Sequence, residues 1–455
     1  KKHGGTFILR IEDTDKSREV EGSIEHIIES LKWLGIDWDI GPDKPSDFDS
    51  CLQSERLDIY KKYAMQLVAK GLAYPDPYTT VELQEFRAKA EAEKRPFLFR
   101  DHRPIEPGEW DGTQPLRFLA SNIKRSKWND VVRGDLSAGE EMIDDIIIIK
   151  ADGYPTYNFA HIIDDLEMEV THVMRGEEFI SSTPKFLSIY EALEIEPPIF
   201  ATLPPIMGPD GKKKLSKRDG AKDLLEYRTD GYLPEAMRNF LALIGWNPGG
   251  EKELYPSNDK DNSLISSFSL EKIQKSGGAF DEEKLRWMNK QYLNQAPDTF
   301  KVEYFNDGLP DSIKELEQYS DERLQKLTSV AFERIRNKVE IREAAGEGEY
   351  DWAFDAPKYD IELIKWKKDP SVKEAGVRLQ KAVDLLATAD FSSPDTVKAA
   401  LWDYAEEEGR GEVLWPIRTA LSGRDKSPDP FTIAYIIGQE ETISRLKTAC
   451  DKIER

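Results

Sequence analysis

The chain alternates between stretches with helical apolar spacing and short unbroken apolar runs. Ile24, Ile27, Ile28, Leu31 and Leu34 share one face of a helical repeat, and Gly35 supplies a stop, which predicts a helix ending at that glycine. Ahead of it, Thr6 to Ile11 reads as a strand that breaks at the turn Glu12-Asp13-Thr14-Asp15. Ile146 to Ile149 is a β-branched run between Asp145 and Lys150, which predicts a buried strand; Thr171 to Arg175 is assigned with it to one parallel sheet. Strand and helix alternating in this way predict a Rossmann-like α/β half. From Asp76 to Lys150 the character changes: a charged helix, Val81 to Glu93, precedes a loop rich in Arg, Pro and Gly, and strand-like stretches follow. Helices dominate after Asp219. Leu316, Leu324, Leu327, Ala331, Ile335 and Val339 approximate amphipathic spacing, and Ser393-Pro394 predicts an N-cap and first helical residue for a helix through Trp402.

Length changes this picture little: 455 residues leave room for several domains with separate cores. No apolar run approaches the roughly 20 residues of a membrane helix. Cys51 and Cys450 lie far apart, so no disulfide framework is implied and a reducing, cytoplasmic setting is the simplest. A net charge of −22 speaks against nucleic-acid binding. Cations nevertheless gather locally, at Arg87 to Arg103, Lys124 to Lys127 and Lys212 to Arg218, and net charge does not report local fields.

The last of these clusters, Lys212-Lys213-Lys214-Leu215-Ser216-Lys217-Arg218, follows Gly208-Pro209-Asp210-Gly211 and is closed by Asp219-Gly220. Mobile ammonium groups on a loop bounded by Gly and Pro suit a polyphosphate. A solvated surface loop or a nucleic-acid patch is the alternative for a bare lysine run. A P-loop is excluded, because Ile206 and Lys213 stand where that motif requires Gly and Ser or Thr.

The text around this loop decides between these readings. Lys214 to Arg218, Gly231-Tyr-Leu-Pro-Glu-Ala236 and Asn239 to Trp246 resemble the nucleotide-binding KMSKS loop and following helices of class I aminoacyl-tRNA synthetases, specifically the bacterial-type glutamyl-tRNA synthetases. Phe7 to Asp15, Gln53 to Arg56, Asp152 to Tyr157, Arg175 to Glu178 and Ser181 to Pro184 look like further blocks of that family. Phe280 to Asn289 is similar to its tRNA-stem region, and Leu414 to Gly423 to its anticodon-binding end. The resemblance runs in order along nearly the whole chain. It implies an α/β Rossmann-like catalytic domain (residues 1–75 and 151–220) split by an α+β insertion that binds the tRNA acceptor end (76–150). A stem-contact helical domain (221–298) and an all-helical anticodon-binding region (299–455) would follow. In the family a first strand and the HIGH signature that holds ATP precede Lys1; no such tetrapeptide occurs here, so the resemblance implies that a preceding segment has been truncated or left out.

What the family implies for the chemistry is ATP-dependent ligation of glutamate to tRNA(Glu) through a glutamyl-adenylate, with no enzyme nucleophile. Catalysis would then be positioning and charge stabilisation. Lys214 and Lys217 are the implied catalytic residues, and Lys214, Leu215, Ser216, Lys217, Arg218 and Glu178 the implied ATP site. Glu12, at a strand end, would pair with the substrate ammonium. Arg175, also at a strand end, would take a carboxylate of glutamate, and Tyr157 would donate to its side chain. His161 falls where relatives carry Asn or His and joins the glutamate set. Mg²⁺ is expected with ATP. Zinc is not: relatives that hold it use a Cys-x-Cys pair where this chain has Tyr74-Pro-Asp-Pro-Tyr78, and the five histidines show no metal-ligand spacing. A monomer without membrane attachment is expected. A glutamine-specific relative would carry a β-barrel distal half, against the helical spacing after Ser320. Whether glutamine tRNA is also charged stays open.

Overall fold

Ser23–Trp33 forms the helix (α1) demanded by the Ile24 to Leu34 spacing, and Gly35 leaves it at a positive φ of 64°. The structure is a computed structural model that describes residues 1–18, 20–45, 48–216, 222–255 and 263–454. Thr6 to Ile11 is extended but is not a ladder strand. Two isolated parallel bridges, Ile8 to Ile40 and Ile11 to Leu52, hold it, because residues 40 and 52 themselves lie in irregular segments too short to continue the pairing.

Helix α2 (Leu57–Ala69) leads into β1 (Ala73–Pro75) and α3 (Thr80–Ala92), whose start is fixed by a capping box between Thr79 and Glu82. Then come β2 (Leu116–Phe118), β3 (Ser126–Asp130), β4 (Gly134–Ala138), β5 (Ile147–Ile149), α4 (Tyr157–Glu167), β6 (His172–Gly176), α5 (Thr183–Leu193), β7 (Ile199–Leu203), β8 (Ile206–Met207) and β9 (Gly278–Ala279). β1, β2 and β5 make an antiparallel three-stranded sheet. β6 and β3 flank β7 in parallel, and β4 closes the far edge antiparallel to β3. The Ile146 to Ile149 run is therefore buried as expected but lies in the antiparallel sheet, apart from β6. A short apolar run marks burial and not the neighbour it pairs with. The buried Asp130 carboxylate ties β3 to β7, accepting from the backbone N–H groups of Val132, Arg133 and Thr202 and from the Thr202 hydroxyl.

The described chain divides into two compact units, Lys1–Leu224 with Met237–Glu282, and Leu225–Ala236 with Glu283–Arg455. In the first, α2, α4 and α5 pack Tyr60, Leu67, Phe159, Ile163, Phe186 and Ile189 against Leu116, Phe118 and Ile148 of the antiparallel sheet. The second is helical over its described residues. Its core runs from Leu293 and Phe305 to Leu446 and Ala449. The apolar series beginning at Leu316 is not one helix. Leu324, Leu327 and Ala331 fall in Asp321–Ala331 and Val339 in Lys338–Gly346, with Leu316 and Ile335 outside both, and each helix starts anew at an N-cap, Ser320 and Asn337, whose side chains take the N–H of the third helical residue. Pro394–Glu408 opens at Ser393 with a capping box to Thr396, as the Ser-Pro pair predicts.

Candidate active site

β6 delivers Arg175 at its C-terminal end. The guanidinium carbon lies 4.6 Å from the Phe186 ring centroid and 5.4 Å from those of Phe179 and Phe200, and one Nη2–H reaches Thr183 Oγ1 at 3.4 Å. Burial among three phenyl rings pulls the Arg175 pKa down from its ordinary value, opposed by the nearby Tyr157 hydroxyl. An arginine remains ionised through such a shift. A cation partly shielded from water in this way is a good partner for a ligand carboxylate.

Tyr157, His161 and Asp165 follow one another at four-residue intervals on α4 and so form one stripe along it. The Tyr157 and His161 rings stack at 4.7 Å, 18° from parallel, and the edge of His161 meets Phe186 at 4.6 Å. His161 Nδ1–H donates to the Tyr157 carbonyl at 2.6 Å, which assigns the proton to Nδ1 and leaves Nε2 an acceptor. Burial pushes the His161 pKa down to about 3, so the ring is neutral. A neutral acceptor suits an ammonium better than a carboxylate. Burial raises the Tyr157 pKa, and the negative charge of Glu12 acts in the same direction against the pull of Arg175.

Asp165, the third member of the stripe, accepts from Arg10 Nη1 at 2.8 Å, and Arg10 Nη2 donates to Glu12 Oε1 at 3.1 Å. Burial lowers the Arg10 pKa, but Asp165, Glu12 and Asp164 together raise it above its ordinary value. Asp164, next along α4, is fully buried and accepts from Gln53 Nε2 at 2.8 Å, Arg56 Nε at 2.9 Å and the Tyr60 hydroxyl at 2.8 Å. This hub binds α4 to the Gln53 to Arg56 block. Arg10, Asp164 and Asp165 escape the sequence reading. The one available signal was a pair of acids inside an otherwise apolar helical face, continuing the Tyr157–His161 spacing.

The cationic loop begins as a hairpin. Leu215 N–H donates to the Ile206 carbonyl and Gly208 N–H to the Lys213 carbonyl, each at 2.8 Å, with Gly211 at a φ of 67° in the tip. β8 pairs in parallel with β9. Lys214 thus sits on the returning arm, opposite Met207, and its Nζ reaches Glu178 Oε1 at 3.2 Å. Both ends of that pair are more than half exposed. Leu215 and Ser216 continue the arm. Lys217 and Arg218 lie outside the described residues.

Among the described residues no group of three or more His, Cys, Asp or Glu side chains is placed to hold a metal ion. In the Tyr74 to Tyr78 stretch, the Tyr74 hydroxyl donates to Asp145 at 2.6 Å and Asp76 accepts from Arg117 at 2.8 Å. Much of the Arg87 to Arg103 cluster is committed internally: Arg103 makes a two-point pair with Asp145, and Arg100 donates to the carbonyls of Glu140 and Ile143. No helix among the described residues is long and apolar enough to cross a membrane.

Arg175 at the end of a parallel strand, Tyr157 at the start of α4, the Glu12 carboxylate and a lysine hairpin tied to Glu178 are the kinds of group an amino-acid-activating synthetase uses. The chain matches the family of class I tRNA synthetases (E and Q), catalytic domain, over residues 1–287, and an anticodon-binding domain over residues 302–450. It is 37% identical to a glutamate–tRNA ligase of Moorella thermoacetica, covering 98% of this chain and 91% of that one. It is 36% identical to one of Clostridium botulinum, covering 100% and 93%. A crystal structure of a glutamate tRNA ligase from Elizabethkingia meningosepticum in complex with its amino acid superposes with a TM-score of 0.87 at 34% identity, covering 99% of this chain and 94% of that one. The chain belongs to the glutamate–tRNA ligases, within the class I tRNA synthetases.

Proposed function

We propose that the α4–β6 site selects glutamate by its two unlike ends. The chain joins glutamate to tRNA(Glu) for translation, as its family does along nearly the full length of both chains. In this reading Arg175 and the Tyr157 hydroxyl take the side-chain carboxylate, while Glu12 takes the α-ammonium with His161 Nε2 beside it. The observation that carries it is the packing of the half-buried Arg175 guanidinium against Phe179, Phe186 and Phe200, close to Tyr157. A desolvated cation rewards a carboxylate and leaves the neutral amide of glutamine poorly matched.

The α-carboxylate of glutamate then attacks the α-phosphorus of ATP, and pyrophosphate leaves. The terminal 2′-hydroxyl of tRNA takes the acyl group, and AMP leaves. Lys214 and Lys217 meet the charge that grows on the departing pyrophosphate, and Leu215, Ser216, Arg218 and Glu178 complete the ATP site. Bound ATP would bring Mg²⁺ with it, and the ion would help neutralise the phosphate charge that Lys214 and Lys217 also meet. Residues 76–150 grip the acceptor end, 221–298 the stem and 299–455 the anticodon, in a cytoplasmic monomer. The test is formation of glutamyl-tRNA with equimolar AMP from ATP, glutamate and tRNA(Glu) by the full-length protein. Charging without AMP release would refute the adenylate route.

A further inference from the structure

Arg10 links Glu12 to Asp165. The three donor nitrogens of Arg10 face three carboxylates. Nη1–H donates to Asp165 at 2.8 Å, Nε lies 3.8 Å from Asp164, and Nη2–H donates to Glu12 Oε1 at 3.1 Å. An arginine beside a partly exposed carboxylate tends to close on both of its oxygens at once. Here Asp165 occupies Nη1, so Glu12 receives one hydrogen bond, at Oε1, and Oε2 accepts none from the protein among the described residues. Asp164 cannot take over this duty, because its two oxygens already serve Gln53, Arg56 and Tyr60.

We infer that Asp165 is a positioning residue for amino-acid binding: by holding Arg10 in this orientation it keeps one oxygen of Glu12 open to the substrate's α-ammonium. The inference rests on Glu12 being the ammonium's partner. It also gives the α4 stripe a single logic. Tyr157 and His161 face the substrate, and Asp165, two turns on, sets the counter-charge at the other end. With Asp165 neutral, Arg10 turns onto Glu12, and the ammonium has to compete with an internal cation for the same carboxylate.

The test compares glutamate with glutarate, which keeps both carboxylates and lacks the amine, in ATP–pyrophosphate exchange by the full-length protein with tRNA present. Asp165→Asn is expected to raise the KM for glutamate about tenfold, while the KM for ATP and the inhibition constant of glutarate stay within about twofold. Glu12→Gln is measured alongside; an unchanged glutamate KM in that variant overturns the ammonium assignment itself. If Glu12→Gln weakens glutamate but Asp165→Asn does not, the positioning role alone is wrong. Parallel weakening of glutamate and glutarate in Asp165→Asn also overturns it, since that marks general damage to the pocket. Should Asp165→Asn fail to fold, Arg10→Lys, which keeps the cation and loses the fork, is expected to show the same split between the two ligands, and no split there counts against the role.

Discussion

Tyr157 and His161 lie one helical turn apart with their rings stacked at 4.7 Å, and the His161 Nδ1–H donates to the Tyr157 backbone carbonyl at 2.6 Å. One hydrogen bond therefore fixes the tautomer and orientation of the histidine ring against Phe186, and the Tyr157 ring packs between His161 and Phe179. The stack holds an aromatic wall in place while its two polar atoms, the Tyr157 hydroxyl and His161 Nε2, carry different hydrogen-bonding instructions.

That burial has a pH signature. His161 titrates at about 3 when folded and near 6.5 when unfolded, so the unfolded chain binds the extra proton between those values. The stabilising contribution is fully present above pH 6.5 and is lost as pH falls toward 3, at up to ~1.4 kcal/mol per pH unit. Urea unfolding at pH 7 and pH 5 should show a loss that is smaller by about 2 kcal/mol in His161→Phe than in the wild type. Equal pH dependence in the two would mean that His161 titrates normally in the fold.

Asp164 serves the fold more than the chemistry. It and Arg56 are buried almost completely, at 0% and 2% side-chain exposure, and their contact joins segments more than a hundred residues apart. Asp164→Ala leaves Arg56 buried without a counter-charge and should cost about 3–5 kcal/mol in denaturant unfolding. A loss below about 1 kcal/mol, the scale of an exposed ion pair, would contradict the hub.

The opposite pattern is expected at the hairpin. Lys214 pairs with Glu178 at 3.2 Å where both side chains are mostly in water, so Lys214→Ala should leave the unfolding midpoint nearly unchanged. Pyrophosphate exchange with tRNA present should nonetheless slow by ~10²–10³, the cost of losing one transition-state contact, and Lys217→Ala should behave alike. Wild-type rates in either variant would remove that lysine from the mechanism.

Where residues near in sequence make the decisive contacts, the chain could be read directly. The Ile24 to Leu34 face, the Ser393-Pro394 cap and the placing of Arg175 at a strand end follow from spacing and capping chemistry. The pairing of β5 with β2 and the reduction of Thr6 to Ile11 to two bridges depend on partners tens of residues away, about which a local apolar run is silent. The same holds within the site. Glu12, Tyr157 and Arg175 belong to motifs whose chemistry points at a ligand, whereas Arg10, although inside the Phe7 to Asp15 block, and Asp165 gain their meaning from a contact across 155 positions. A buried acid is recognisable in sequence only once its cation is known.

The most direct test of glutamate selection by a desolvated Arg175 is competition between the two amino acids that differ only in the charge of the side-chain terminus. Glutamate and glutamine, each labelled, are supplied together to the full-length protein with ATP and tRNA(Glu), and kcat/KM is measured for both. A preference for glutamate of at least ~10³ is expected, the scale set by leaving a half-buried cation and a hydroxyl imperfectly paired. Arg175→Leu is further expected to remove most of that preference by lowering glutamate charging and not by raising glutamine charging. Comparable kcat/KM for the two amino acids in the wild type would contradict glutamate selection by Arg175.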